Sequence, residues 1–321
     1  LDRVPVYRPY VPSSARIWEY LRDGKDFYEP DEEIAKRMLA LEPNSSHVAM
    51  LVRVFLCRAV RLAAEAGVRQ FIDLGTGLPA LANVHEVACK IEPASRVVYI
   101  DNDPMVCAHC DALLAHRTVV QADVRRPAEI IGQLKDQGLI DFREPVAVTM
   151  VGVLDHVMDE EDPAGIVAVF RNAMAAGSYL ALAHGSTETD AEFIYQTQAD
   201  TVATPAQLCY RSPAEIEKLM AGFDLLPPGI APIKAFLANG NYLPETRWVF
   251  SGGIGRLWHP DRRTPVSANS VASHVVSGLP DQLEPPPPRM PARNYQAGQR
   301  RWRRHFPLSY TRIEGLTSCP A

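Results

Sequence analysis

Three aspartates, each at or beside the carboxyl end of an apolar run, constrain this chain more than anything else in it: Asp73 in FIDLGTG, Asp101 in RVVYIDNDP and Asp123 in TVVQADV. Runs of Val, Ile, Leu and Phe bounded by turn residues are the pattern of strands buried on both faces. Helical stretches clearly follow the other strands, whereas the segment after the third is not clearly helical. Strands alternating with helices build a parallel sheet, and such sheets bind ligands in the crevice beyond the strand carboxyl ends. Here that edge carries carboxylates, which suit a nucleoside that also bears an amino group.

The loop Gly75-Thr76-Gly77-Leu78-Pro79-Ala80 fits G-x-G-x-x-A, and Asp101 follows at the distance where a dinucleotide fingerprint places its ribose-binding acid. Two other acids weigh against a dinucleotide. Asp73 precedes the first glycine and Asp123 follows the third strand, and a carboxylate beside a pyrophosphate is repelled in a poorly solvated crevice. S-adenosyl-L-methionine has no phosphate and carries an ammonium group, so it fits the same loop without that conflict.

Asp73-Leu-Gly-Thr-Gly77, Ile100-Asp101-Asn102-Asp103 and Ala122-Asp123-Val124 resemble motifs I, post-I and II of class I methyltransferases. Residues 14–256 are more specifically similar to an actinobacterial family of S-adenosylmethionine-dependent methyltransferases whose physiological substrates are largely unassigned. The resemblance rests on ARIWEYLRDGKDFY (15–28), GTGLP (75–79), NVHE (83–86), VYIDNDP (98–104), DVR (123–125) and DPAGI (162–166). It implies an α/β, Rossmann-like three-layer sandwich with a mostly parallel seven-stranded sheet and an antiparallel last strand. One departure falls after the fourth strand, where the family pattern would give Leu-His and this chain reads Leu154-Asp155-His156. An extra carboxylate therefore stands on the acceptor side.

By that resemblance Asp101 would accept from both ribose hydroxyls, Asp123 would hold the adenine amine, and Asp73 would face the methionine ammonium directly or through water. Gly75 and Gly77 would let backbone approach the ligand closely. Thr76, Asn102, Asp103, Val124, Gly152 and Val153 complete the expected cofactor surface. The plainer reading of each strand-end aspartate is a cap on a helix or loop. Tyr20, Gly24 and Lys25 lie in an amino-terminal segment expected to fold over the cofactor, with Lys25 near the methionine carboxylate and a tyrosine against the sulfonium or adenine. The alternative is a simple turn between helices.

Methyl transfer needs alignment and water exclusion more than it needs a base. Where a base is required, His156 is the first candidate, with Asp155 beside it and His184 at the end of the fifth strand; His85 is a weaker one. A hydrogen-bonded structural residue is the commoner reading of a histidine near a strand end. No Asn/Asp-Pro-Pro-aromatic motif follows the fourth strand, which disfavours adenine or amide methylation of that type.

With 321 residues and 47% hydrophobic content the chain can bury one large core. Its net charge of −5 gives no reason to expect tight nucleic-acid binding by the whole protein. No apolar run is long enough to span a bilayer and the amino terminus has no signal-peptide layout, so a cytoplasmic location is expected. Cys107-Ala108-His109-Cys110 has metal or redox spacing but no second pair, so no metal is expected and helix packing is the favoured reading.

The sequence divides into an amino-terminal arm and helical lid (1–66), a cofactor-binding core (67–256) and a Pro/Arg-rich tail (257–321) expected to be disordered. Within the core, strands are expected at Phe223–Leu226 and Thr246–Ser251, and a serine-capped helix at Ser212. The tail holds nine arginines against four acids, about +5, leaving the rest near −10. It could be a nucleic-acid or acidic-partner arm with Trp302 stacking on bases, or an unselected extension, which the arginine-rich composition favours. The expected function is methyl transfer to a small-molecule acceptor. A cofactor-binding module without turnover and an NAD-dependent dehydrogenase are the alternatives, and oligomeric state is not legible.

Overall fold

The computed structural model describes residues 8–80, 82–114, 117–237 and 244–258. Three helices come first: α1 (Ser14–Leu21), α2 (Glu29–Leu41) and α3 (Ser45–Glu65). Strand and helix then alternate through β1 (Gln70–Leu74), α4 (Val84–Ile91), β2 (Arg96–Asp101), α5 (Pro104–Leu113), β3 (Thr118–Gln121), α6 (Pro127–Asp136), β4 (Val146–Val151), α7 (Pro163–Ala173) and β5 (Tyr179–Gly185). The remainder comprises α8 (Ala191–Thr201), α9 (Pro213–Leu219), β6 (Asp224–Leu225), β7 (Ala231–Pro232) and β8 (Phe250–Arg256).

The strands form one sheet of order β3-β2-β1-β4-β5-β8-β6, with β7 also pairing β8. The first five are mutually parallel and β8 runs antiparallel to β5, as expected of the last strand. Strand order reverses between β1 and β4, so the ligand-binding switch point lies above their carboxyl ends. Alternation along each strand feeds two cores. Phe71, Tyr99, Ala147 and Ala181 face α3 and its neighbours, whereas Ile72, Val98, Val148 and Leu180 face α6, α7 and α9. Helix α3 belongs to one helical layer of this sandwich together with α4 and α5, burying Val52, Phe55 and Ala59 in the same cluster as Phe71.

Three sequence expectations are corrected. A helix, α6, does follow β3: Pro127 opens it and Ile130, Ile131 and Leu134 bury one face, but charged and polar residues crowd the segment and blur the pattern. The strand expected at Thr246–Ser251 begins instead at Phe250 and runs to Arg256 through FSGGIGR. Glycine-rich sequence has low strand propensity, yet here neighbours leave no room for side chains: a Cβ on Gly252 would lie 2.4 Å from the Leu182 carbonyl oxygen. The strand expected at Phe223–Leu226 is present as β6, and the two-residue β7 brings the sheet to eight strands among the described residues rather than seven. By contrast, Ser212 caps α9 as expected, with Glu215 completing the box. The tail reading lies outside the described residues.

A buried charge network fastens the amino-terminal helices to the sheet edge. Asp31 accepts from the Ser13 N–H at 2.8 Å, from Arg16 Nε at 2.6 Å and from the Tyr28 N–H at 2.9 Å. Ser13 Oγ in turn donates to Asp103 Oδ2 at 2.8 Å, and Arg16 Nη1 lies 3.8 Å from the same oxygen. Helix α1 is thus held beside the loop after β2.

Candidate functional site

The glycine loop faces inward, toward β2. The N–H groups of Gly75 and Thr76 donate to the Ile100 carbonyl at 2.8 and 3.3 Å, and the Gly77 N–H donates to Asp101 Oδ2 at 2.9 Å. These are the donors that a dinucleotide site keeps free for its pyrophosphate. Helix α4, which would supply the remaining positive dipole end, starts with its own capping box, Asn83 with Glu86, so a carboxylate already sits at its N-terminus. Gly75 and Gly77 both hold positive φ (+68° and +66°), for different reasons. A Cβ on Gly75 would fall 2.5 Å from the Val153 side chain, whereas one on Gly77 would enter open space. Gly75 is therefore required by packing between β1 and β4, and Gly77 leaves bare backbone at the crevice. Gly152, also at positive φ (+78°), has open space before it too.

Asp101 accepts the Gly77 N–H on one oxygen and the Asp103 N–H on the other, both at 2.9 Å. Burial pushes its carboxyl up to about 6, against those N–H bonds and reinforced by the Asp103 charge. Among the described residues no side-chain cation bonds to it; the Asn102 N–H also approaches it, and the remaining acceptor capacity is open to a hydroxyl donor. A desolvated carboxylate of this kind fits the two hydroxyls of a ribose. Asp73 is enclosed by hydroxyls, accepting from Thr149 Oγ1 at 2.5 Å and Thr76 Oγ1 at 3.3 Å; burial raises its carboxyl against these bonds and the Arg53 charge. Asp123 is held two-fold by Arg125, at 2.6 and 2.9 Å, and Arg125 continues to Glu161 at 3.0 Å. Burial would raise the Asp123 carboxyl, but Arg125 outweighs it and holds the group below the usual range. Asn102 and Val124 flank these acids at the strand ends.

Asp103 is spent on structure: it is buried, caps α5 through the Met105 N–H and receives Ser13. Tyr20 is likewise enclosed, packing edge-on to Phe27 with centroids 4.8 Å apart. Gly24 lies against the buried Glu19 side chain, where a Cβ would collide with the carboxylate. Lys25 is exposed. Arg53, which sequence reading passed over, donates to Asn83 Oδ1 at 3.1 Å and sets its charge near Asp73. Its signal was an arginine inside the apolar run Leu51-Val52-Arg53-Val54-Phe55.

A second, narrow cleft opens beneath α1 and α2. It is walled by Trp18, Leu21, Met38, Tyr210 and Trp248, with Asp155 and His156 in its lining. Asp155 is 3% exposed. Its Oδ1 accepts the Gly185 N–H at 3.2 Å and lies 3.1 Å from His184 Nδ1. His156 Nδ1 donates to the Gln207 carbonyl at 3.0 Å, and burial lowers its basicity despite the neighbouring Asp155 charge, so the imidazole is neutral with Nε2 as its acceptor. His184 is fully buried and is corrected here: Arg211 Nη1 donates to its Nε2 at 2.6 Å while Nδ1 faces Asp155 and the Gly185 carbonyl. Both nitrogens are occupied, so it positions Asp155 and has no open route to a ligand. His85 is turned toward Tyr99, 2.7 Å from its hydroxyl, with burial lowering it to about 4.

Cys107 and Cys110 are buried in α5, and burial pushes the Cys107 thiol up to about 12. Among the described residues no group of three or more His, Cys, Asp or Glu is placed to hold a metal ion, and no helix is long and apolar enough to cross a membrane.

Comparison with known proteins identifies the family and the fold. Residues 8–258 match the profile of the S-adenosyl methyltransferase family. A crystal structure of a candidate methyltransferase from Thermobifida fusca YX superposes with a TM-score of 0.72 at 34% identity, covering 79% of this chain and 100% of that one. A DUF574 family protein from Streptomyces avermitilis MA-4680 gives 0.70 at 33% identity, covering 77% and 98%. A search of curated proteins returns no match. The chain belongs to the S-adenosyl methyltransferase family, whose methyl donor is S-adenosyl-L-methionine, and it has that class's mostly parallel, Rossmann-like sheet.

Proposed function

We propose that this protein transfers a methyl group from S-adenosyl-L-methionine to a small-molecule acceptor bound in the cleft beneath α1. The observation that carries this reading is Asp101, a carboxylate at the tip of β2 that accepts the Gly77 N–H of the glycine loop, in a fold whose turn after β4 puts Asp155 and His156 into an aromatic-walled cleft. Bound S-adenosyl-L-methionine supplies an electrophilic methyl on a cationic sulfur. Asp101 holds the ribose through its open lone pairs, and bare backbone at Gly77 and Gly152 admits the ligand closely. Asp73, Thr76 and Arg53 form a mixed-charge end suited to an amino-acid zwitterion. Val124 and Asn102 border the adenine, with Asp123 fixed by Arg125 beside them.

Helices α1 and α2 act as the lid of the acceptor cleft, and their aromatic walls exclude water while the reacting atoms are held in line. His156, neutral and half-buried, takes a proton where the acceptor must lose one. The test is turnover: the purified chain with methyl-labelled cofactor and fractionated small-molecule extract should release S-adenosylhomocysteine, and a His156→Ala, Asp155→Ala double variant should not. Cofactor binding without release for any fraction would favour a binding module instead.

A further inference from the structure

The acceptor cleft is apolar and aromatic, yet it contains one buried carboxylate with only half its acceptor capacity used. Asp155 Oδ1 is held by the Gly185 N–H and faces His184 Nδ1, while among the described residues no group bonds to Oδ2, and the residue lines the cleft. The groups behind it hold it in place. Arg211, itself buried, donates to His184 Nε2, which fixes the proton on Nδ1; that N–H donates to the Gly185 carbonyl at 2.9 Å, with Asp155 Oδ1 3.1 Å away. Arg211 also donates to the Leu154 and Val157 carbonyls, so its guanidinium cannot swing into the cleft to neutralise Oδ2. An oxygen reachable from an otherwise apolar cleft is a natural acceptor for a donor on the bound ligand.

We propose, resting on the methyltransferase reading, that the acceptor is an amine carried on an apolar or aromatic body, with its nitrogen placed by Asp155. An N–H donor satisfies Oδ2, and Trp18, Tyr210 and Trp248 enclose the body; an alcohol satisfies the oxygen less well, and a carboxylic acid is repelled. The charge balance also fits. The amine arrives as an ammonium ion and gives one proton to His156 Nε2 and on to solvent; the now neutral nitrogen forms a bond to the methyl carbon as the carbon–sulfur bond breaks, that bond's electron pair leaving with the sulfur. The nitrogen thereby regains a positive charge facing Asp155. Asp155 is thus a specificity residue that is better paired in the transition state than with the neutral acceptor.

The test uses benzylamine, benzyl alcohol and benzoate as probes, titrated into the full chain saturated with S-adenosylhomocysteine. The expected result is binding of benzylamine at least tenfold tighter than benzyl alcohol, no binding of benzoate, and loss of the amine preference in Asp155→Asn. Equal binding of amine and alcohol, no binding of the amine at all, or an amine preference that survives Asp155→Asn would each overturn the proposal. Wild-type probe selectivity decides the matter even where the variant folds poorly, and Asp155→Glu, which keeps the charge, should retain the preference. The preceding S-adenosylhomocysteine titration reports separately on the cofactor reading. If that titration is silent while the amine preference holds without it, the methyl-transfer reading fails and the amine site stands.

Discussion

In the crevice above β1, β2 and β3, each polar group is placed by its own strand: Asp73 and Asp101 sit at strand tips, and the glycine loop is tied back to Ile100 and Asp101 within one βαβ unit. In the cleft beneath α1, by contrast, Trp18, Met38, Asp155, Tyr210 and Trp248 come from segments spread along nearly the whole described chain. One half of the site is made by local motif and the other by tertiary packing. A motif-built half keeps its ligand when a distant helix loosens, whereas a packing-built half does not.

The strongest way to break the comparison is Arg16→Met. It leaves Asp31, fully buried, without its cation, and should cost about 3–5 kcal/mol in denaturant unfolding. Because Arg16 anchors α1, the surviving folded protein should lose probe binding in the cleft before it loses cofactor affinity; the opposite order would dissolve the distinction. Next comes the glycine pair. Gly75→Ala combines a steric clash with positive φ and should destabilise the fold by about 2–4 kcal/mol. Gly77→Ala should cost only about 1 kcal/mol yet weaken cofactor binding, because its methyl enters the crevice rather than the core. Thermal unfolding and calorimetry on both variants separate the two roles.

How much of this was legible in the sequence follows the same division. The strand-end acids, the glycine loop and the Ser212 cap were read correctly in position because each is a short-range signal. The last strand was misplaced because FSGGIGR takes its strand character from close neighbours, and no propensity scale contains them. His184 looked like a candidate base because its two partners, Asp155 and Arg211, lie 29 and 27 residues away along the chain. Arg53 was missed for the reverse reason: it sits on a helix far from any motif and reaches the site only through the packing of α3 on the sheet.

A smaller effect is expected with pH. The Asp101 carboxyl, raised to about 6 by burial, must be ionised to accept from two hydroxyls, so cofactor affinity should fall as pH drops through about 6. The sign for stability is opposite: the folded chain binds this proton more tightly than the unfolded one, so the group stabilises the fold at low pH and loses that contribution as pH rises toward and through about 6. Asp101→Asn should flatten both profiles. The smallest change is expected from Lys25→Met. Lys25 is exposed, so even if it reaches the methionine carboxylate its loss should weaken cofactor binding only a few-fold, and unchanged affinity would remove it from the site.

The most direct test of the central claim, that the crevice is an S-adenosyl-L-methionine site organised by Asp101, is calorimetric titration of the intact chain with that cofactor and separately with NAD, beside an Asp101→Ala variant. The predicted result is micromolar binding of S-adenosyl-L-methionine that is lost in the folded variant, with no heat from NAD, since the loop N–H groups a pyrophosphate would need are bonded to Ile100 and Asp101. Binding of NAD, or cofactor affinity unchanged in Asp101→Ala, would contradict it.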